Sequence, residues 1–408
     1  MKYLSFLVFT ICVVIQTTAQ SFLHTKGTEI VSADGKPFEI KGINLGNWLV
    51  PEGYMFHFKK ATSPRLINEA ITELLGPYET EKFWKQYLKS YITRADIHYL
   101  KATGANSIRL PFNYRLFSGE NYLGSNSTSR AFGIIDSLVS WCKKEGIYII
   151  LDMHCAPGGQ TGDNIDDSYG YPFLFESAEA QDLTVNTWKM IAGHYAHEPT
   201  IMGYDILNEP IPPFFDTSFF NPRLEPLYKR ITAAIRKVDQ KHMIFLGGAQ
   251  WDSNFDVFGK PFDNNLVYTF HKYWTAPTRK VVQPYIDFRN RYKVPVYCGE
   301  TGENTDDWIK SFRQMLDSNN IGWHFWPYKK MNNTRCMVGF KEPENYDLVI
   351  KFADTSRISF KEIQQYRPSD MKKVKEALNA FLINCRFENC YKNEGYIRAL
   401  GLKTEPAK

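Results

Sequence analysis

Residues 201–210 read Ile-Met-Gly-Tyr-Asp-Ile-Leu-Asn-Glu-Pro. The run Ile201–Leu207 shows little alternation and ends in Asn208, Glu209 and Pro210. A short apolar run without alternation fits a strand buried on both faces, as in a parallel sheet. Working outward from it, seven further runs have the same character: Ile40–Asn44, Ser107–Leu110, Tyr148–Met153, Met243–Leu246, Leu266–Phe270, Val294–Cys298 and Gly322–Phe325. Helical periodicity fills the segments between and after them. Leu183, Trp188, Ile191, Ala192 and Tyr195 share one predicted helix face, and Met371, Val374, Leu378, Phe381 and Leu382 share another behind an Asp370 cap. Alternation alone permits a doubly wound sheet as well as a closed barrel. The ends of the runs decide. Asn44, Arg109, His154, Asn208-Glu209, His271, Glu300 and Trp326 stand at or just beyond the C-terminal edges. In a (β/α)8 TIM barrel all such edges converge on one mouth, where active sites sit.

The rest of the chain fits a single barrel over residues 21–408. Ala33-Asp34-Gly35, between Thr28–Val31 and Lys36–Ile40, predicts an N-terminal β-hairpin. Surplus length lies after strands 1, 3, 4 and 8, including Trp48–Ser90 and Pro327–Arg367, and predicts long loops walling the mouth at the C-terminal face. Residues 1–20 carry Lys2, an apolar run from Leu4 to Ile15 and small residues at Thr17-Thr18-Ala19. That is the pattern of a secretory signal peptide, so the mature chain is expected to be secreted, with no membrane span. Six cysteines lie beyond Cys12; Cys385 and Cys390 are close enough for a local disulfide, and no zinc spacing occurs. The 49 basic and 44 acidic residues leave +5, without a run of Lys or Arg longer than two, which excludes an electrostatic case for nucleic acid. Aromatic residues make up 15% of the chain, and rings are a common lining of sugar sites as well as of cores.

Glu209 and Glu300 close the fourth and seventh runs, which face each other across a barrel. Two carboxyls about 5–5.5 Å apart is the geometry of retaining glycoside hydrolysis, one attacking the anomeric carbon and the other exchanging the proton. Asn208 beside Glu209 suits a hydrogen bond to a sugar 2-OH. A metal-dependent hydrolase is the rival reading of Asp152 and His154, but such sites need several His and carboxylates converging, and none is expected here. A sugar-binding protein on an inactive barrel is a further rival; it requires the loss of a glutamate that this chain retains.

Gly42-Ile43-Asn44-Leu45-Gly46-Asn47-Trp48-Leu49, Ile108-Arg109-Leu110-Pro111, Leu151-Asp152-Met153-His154, Leu207-Asn208-Glu209-Pro210, Phe270-His271-Lys272-Tyr273, Gly299-Glu300 and Phe325-Trp326 together resemble glycoside hydrolase family 5. The resemblance implies Glu209 as acid/base and Glu300 as nucleophile, with Arg109 and Tyr273 orienting Glu300. It implies His154, Asn208, His271 and Trp326 around the scissile bond. A nucleophile must be charged, which a guanidinium and a phenol favour, and an acid must begin protonated, through burial and the nearby Glu300 charge. The motif around Trp48 and His154-Cys155-Ala156-Pro157-Gly158-Gly159 resembles exo-β-1,3-glucanases, whose glutamate at the position of Glu52 holds a terminal glucose. Asn47 and Cys155 depart from that subgroup. An endo-β-1,4-glucanase or a β-mannanase of the same family is therefore the alternative. A monomer needing no cofactor and taking a β-glucan substrate is expected.

Overall fold

The computed structural model describes residues 20–404. Strands β1 (His24–Lys26) and β2 (Glu29–Val31) form an antiparallel hairpin around Gly27-Thr28. Gly27 sits at φ +59, a left-handed conformation that suits a tight two-residue turn. The hairpin thus lies one turn earlier than expected. The Asp34-Gly35 turn exists, but beyond it only the bridge Val31–Pro37 forms. Pro37 has no N–H to extend a ladder.

Strands β3 (Lys41–Asn44), β4 (Ser107–Asn113), β5 (Tyr148–Cys155), β6 (Ile201–Asp205), β7 (Met243–Gly247), β8 (Leu266–His271), β9 (Val296–Glu300) and β10 (Gly322–Phe325) follow. They close into a parallel barrel in the order β10-β3-β4-β5-β6-β7-β8-β9. Every expected run supplies a barrel strand. The bounds shift where backbone chemistry dictates. β9 starts after Pro295, and β6 ends at Asp205 because Ile206 to Glu209 peel away to build the mouth.

Two apolar cores result. The larger lies between strands and helices, where Trp188, Ile191 and Ala192 of helix Ala178–Tyr195 are buried. Leu183 is not on that face; it is 44% exposed, and Thr184 and Thr187 take the inward positions. Helix Met371–Asn384 buries Val374, Leu378, Phe381 and Leu382 as expected, with Asp370 capping the Lys373 amide. The smaller core fills the lower barrel. Ile150, Met202, Met243, Phe245 and Val267 meet Leu23 and Ile30 of the hairpin, so the hairpin stoppers the end opposite the mouth. Tyr148 at the start of β5 donates to the Ser21 carbonyl and ties the chain there.

The surplus segments are more regular than loops. Helices Pro64–Leu75 and Pro77–Ser90, each with a proline in its first turn, occupy much of 48–90. In the segment 327–367, β11 (Lys329–Met331) and β12 (Val338–Phe340) join β13 (Tyr391–Lys392) in a small sheet. Cys385 and Cys390 are free thiols rather than a disulfide; the Cys390 Sγ approaches the Arg386 and Cys385 carbonyls across a short helical turn, Phe387–Asn389. The expected signal segment through Ala19 lies outside the described residues. Among the described residues no helix is long and apolar enough to cross a membrane.

Candidate active site

The barrel register sets Arg109 beside Asn44, and Asp152 beside Asp205. These side chains meet inside the barrel. Arg109 is fully buried, donates to Asp205 Oδ2 at 2.8 Å and Glu300 Oε1 at 2.5 Å, and stands 3.1 Å from Asp152 Oδ1 as an ion pair. It also donates to Asn44 Oδ1 at 3.2 Å and Asn208 Oδ1 at 2.8 Å. Burial works against the Arg109 charge, and the carboxylates more than offset it, so its pKa is raised. Burial likewise pushes Asp152 and Asp205 up to about 7, against the pull of Arg109. One guanidinium cannot hold every neighbouring carboxyl as an anion in a dry interior.

Above this layer the carboxyls of Glu209 and Glu300 face each other. An oxygen of one lies within 4.8 Å of an oxygen of the other, with His271 in the same cluster. Tyr273 donates to Glu300 Oε2 at 3.0 Å, so Glu300 is gripped on both oxygens. Glu209 has a different setting. It follows β6 in a left-handed conformation, φ +46, and its Oε1 is 2.9 Å from His271 Nδ1. Burial raises its pKa, and Asp163 adds to the rise, while His154 and Arg109 oppose it. The expected contribution from Glu300 is not among these causes. Burial lowers His154 to about 4 and His271 to about 3, so both rings are neutral at ordinary pH. His154 Nδ1 meets Asp152 Oδ2 at 2.8 Å, and its ring stacks on Trp326 at 5.7 Å between centroids.

A cavity of about 640 Å³ opens over this cluster. Of the expected residues, Glu52, His154, Glu209, His271, Tyr273, Glu300 and Trp326 line it. Arg109 and Asn208 do not. Asn208 is 1% exposed and lies one layer back, its amide between Arg109 and His154. Its Oδ1 is occupied by Arg109 because both sit inside the barrel radius. Glu52 is buried, with Oε1 unpartnered; burial first, then the charges of Glu300 and Glu303, raises its pKa well above the carboxylate range. Trp251 and Trp274 line the outer wall, 36% and 69% exposed.

Sequence reasoning missed several participants. Tyr54 accepts from Trp326 Nε1 at 2.8 Å, and Lys330 pairs with Glu303 and lies 4.6 Å over the Tyr54 ring. Asp252 packs behind His271, its Oδ2 3.2 Å from Nε2. It ends a left-handed turn formed by Gln250 (φ 52), Trp251 (φ 57) and Asp252 (φ 57), at a cost of about 1–2 kcal/mol per residue. No glycine marks that turn in the sequence. The Gln160-Thr161-Gly162 turn offered a signal: Asp166 accepts from the Thr161 and Gly162 amides, which builds the loop that brings Asp163 to the cavity.

Among the described residues two groups, Asp152/His154/Glu300 and Glu209/His271/Glu300, have the donor atoms for a cation. Glu300 belongs to both and is already bound by Arg109. A divalent ion there would sit against a buried guanidinium, which makes the pair of carboxyls a poorer cation site than a proton-transfer site.

Residues 31–332 match the family described as cellulase, glycosyl hydrolase family 5, a span that includes all eight barrel strands. The chain is 34% identical over 269 residues to a beta-xylosidase from Phanerodontia chrysosporium, covering 65% of this chain and 55% of that protein. It is 25% identical to endoglucanase C from Acetivibrio thermocellus, covering 61% of this chain and 88% of that one. Over 184 residues it is 27% identical to a probable glucan 1,3-beta-glucosidase A from Aspergillus niger, covering 44% and 43%. The rutinosidase of Aspergillus niger shares the fold with a TM-score of 0.58 at 20% identity, over 73% of this chain and 92% of that one. With the match running from the first barrel strand to the last, the chain is an O-glycosyl hydrolase and belongs to the cellulase family, glycosyl hydrolase family 5.

Proposed function

We propose that this chain is a secreted, monomeric, retaining β-glycosidase that acts on β-glucan from chain ends, in the manner of exo-β-1,3-glucanases and β-glucosidases. The observation that carries the reading is the carboxyl pair: oxygens of Glu209 and Glu300 within 4.8 Å, one held by Arg109 and Tyr273, the other facing a neutral histidine. An approach that close supports the retaining geometry, with carboxyls about 5–5.5 Å apart, over the inverting one at about 6.5–9.5 Å. Glu300 attacks the anomeric carbon as the glycosidic bond breaks, and Glu209 gives its proton to the leaving oxygen. Water then attacks the glycosyl ester, giving its proton to Glu209 and freeing Glu300. Asn208 steadies Arg109, with His154 and Trp326 at the sugar. Proton NMR of the first-formed product tests this; a β-anomer is expected first, and an α-anomer overturns retention.

The chain-end reading rests on Glu52, whose unpartnered buried oxygen supports a hydrogen bond to a terminal glucose. The exposed Trp251 and Trp274 favour the alternative, an endo-β-1,4-glucanase or β-mannanase whose polymer continues across the outer wall. Glucose released stepwise from a labelled oligosaccharide supports the first; early internal fragments support the second.

A further inference from the structure

Successive residues of a strand face opposite sides, and β11 uses both for a buried ammonium. Lys329 pairs with Asp96 at 2.7 Å. Lys330, buried beside it, pairs with Glu303 Oε1 and lies over the Tyr54 ring. Glu303 lines the cavity with Glu52, Tyr54 and Trp326. Its Oε1 holds the ammonium, and among the described residues its Oε2 makes no hydrogen bond. Glu303 stands outside the Glu209/His271/Glu300 cluster, so the two displacement steps leave it without a task.

Its position is built at a cost. Beyond β9 the Thr301 carbonyl accepts from the Trp326 N–H at 2.7 Å, and Gly302 bridges Trp326. A Cβ on Gly302 would stand 2.4 Å from the Trp326 carbonyl oxygen, so this approach needs glycine. Glu303 follows at φ 51, a left-handed conformation that disfavours a side chain. A buried ion pair such as Glu303–Lys330 returns little net stability, because both charges have left water. Neither expense is explained by the fold. Both are explained if the carboxylate is held there for a ligand.

We propose that Glu303, anchored by the buried Lys330, is a specificity-determining residue of this cavity: its free oxygen accepts a hydroxyl of an uncharged sugar and turns sugar acids away. This rests on the reading of the cavity as the sugar site. A carboxylate has acceptors only, so a sugar hydroxyl can donate to it and a uronate cannot. The charges of Glu300 and Glu303 reach both Glu52 and Tyr54, with Lys330 opposing them at Glu52. Lys330 is already paired with Glu303, which leaves no cation on this wall to receive a second carboxylate. A sugar acid therefore meets like charge at short range in a poorly solvated site.

The test uses dinitrophenyl β-glucoside and dinitrophenyl β-glucuronide, which differ only in a hydroxymethyl against a carboxylate. The wild-type chain should favour the glucoside. Glu303→Gln keeps the shape but leaves the Lys330 charge unbalanced, and should narrow the ratio of the two kcat/KM values by about tenfold or more, the size of one hydrogen bond to a charged group. Glu303→Leu combined with Lys330→Met removes both charges together and strands neither. It should lower kcat/KM on the glucoside about tenfold, through KM. An unchanged ratio in Glu303→Gln, including equal loss on both substrates, overturns the proposal, as does a double variant that matches the wild type on the glucoside. Should the wild type turn over neither glycoside, the chain-end reading fails, and calorimetric titration with a β-1,3-gluco-oligosaccharide decides the role of Glu303 separately. Binding about tenfold weaker in the double variant than in the wild type upholds it; equal binding, or none in either, overturns it.

Discussion

Arg109 is the residue on which the site turns. Its fork reaches Asp152, Asp205 and Glu300, and through Asn208 it braces the strand end that carries Glu209. The two glutamates are chemically alike and are set apart by what touches them: donors on Glu300, a neutral ring and burial on Glu209. Glu300→Gln should therefore lower turnover by about four orders of magnitude or more on every substrate, because no neighbour can replace the attacking carboxylate. Circular dichroism should show an unchanged fold. Glu209→Ala should lose about 10²–10⁴-fold on unactivated glycan while sparing a dinitrophenyl glycoside. Azide should restore turnover as a β-glycosyl azide. Near-native hydrolysis of glycan by Glu209→Ala would sink the assignment. These residues were legible in the sequence because each ends a strand-like run. Asp252, Glu303 and Lys330 were not, since each acts through a partner distant in sequence, and no local pattern announces such a pairing.

At the level of elements, the strands were readable and their ends were not. β5 and β4 run on to Cys155 and Asn113, while β6 stops short of Asn208. The cause is the mouth itself, where left-handed residues such as Glu209 and Ile211 trade ladder hydrogen bonds for side-chain placement. The hairpin was misplaced because Asp34-Gly35 is the louder turn signal, yet Pro37 denies it a ladder. Strand packing also explains the glycine before Glu300. A Cβ on Gly299 would stand 2.4 Å from Thr269 Oγ1 and 2.8 Å from His271 Nε2. Gly299→Ala should cost about 1–3 kcal/mol in denaturant unfolding and depress kcat by displacing His271; an unperturbed variant would contradict the close approach of β8 and β9. Glu52 belongs to the turn after β3, where its backbone N–H is held by Asn47 Oδ1 at 2.9 Å. Glu52→Ala should weaken release of terminal glucose by about tenfold, the equivalent of ~1.4 kcal/mol. No effect would favour endo cleavage.

The barrel as a whole was legible because eight runs with polar ends admit one closed arrangement; the helices built into the long insertions were legible only as length. Burying so many ionisable groups in one barrel gives the whole molecule a pH dependence. Asp152 and Asp205, raised to about 7, hold protons in the folded chain that an unfolded aspartate near 3.8 has lost. Their contribution is fully present below about pH 4 and is lost as pH rises toward 7. Glu52, Glu209 and Asp252 are raised as well and act in the same direction. His154 and His271, lowered from 6.5 to about 4 and about 3, act oppositely: their contribution is present above 6.5 and is lost as pH falls. The buried His324 joins them. The acids outnumber the histidines, so the melting temperature should be higher at pH 5 than at pH 7, by at least about 2 °C. Calorimetry across that range checks it, and a rising profile would contradict the balance. Gln20 and Ser21 are tied to the barrel by Thr200 and by Tyr148 at the start of β5, on the face opposite the mouth. Anything joined ahead of the hairpin, whether an affinity handle, a solid support or a neighbouring enzyme, hangs from the blind side and leaves the mouth that holds Glu209 and Glu300 turned outward.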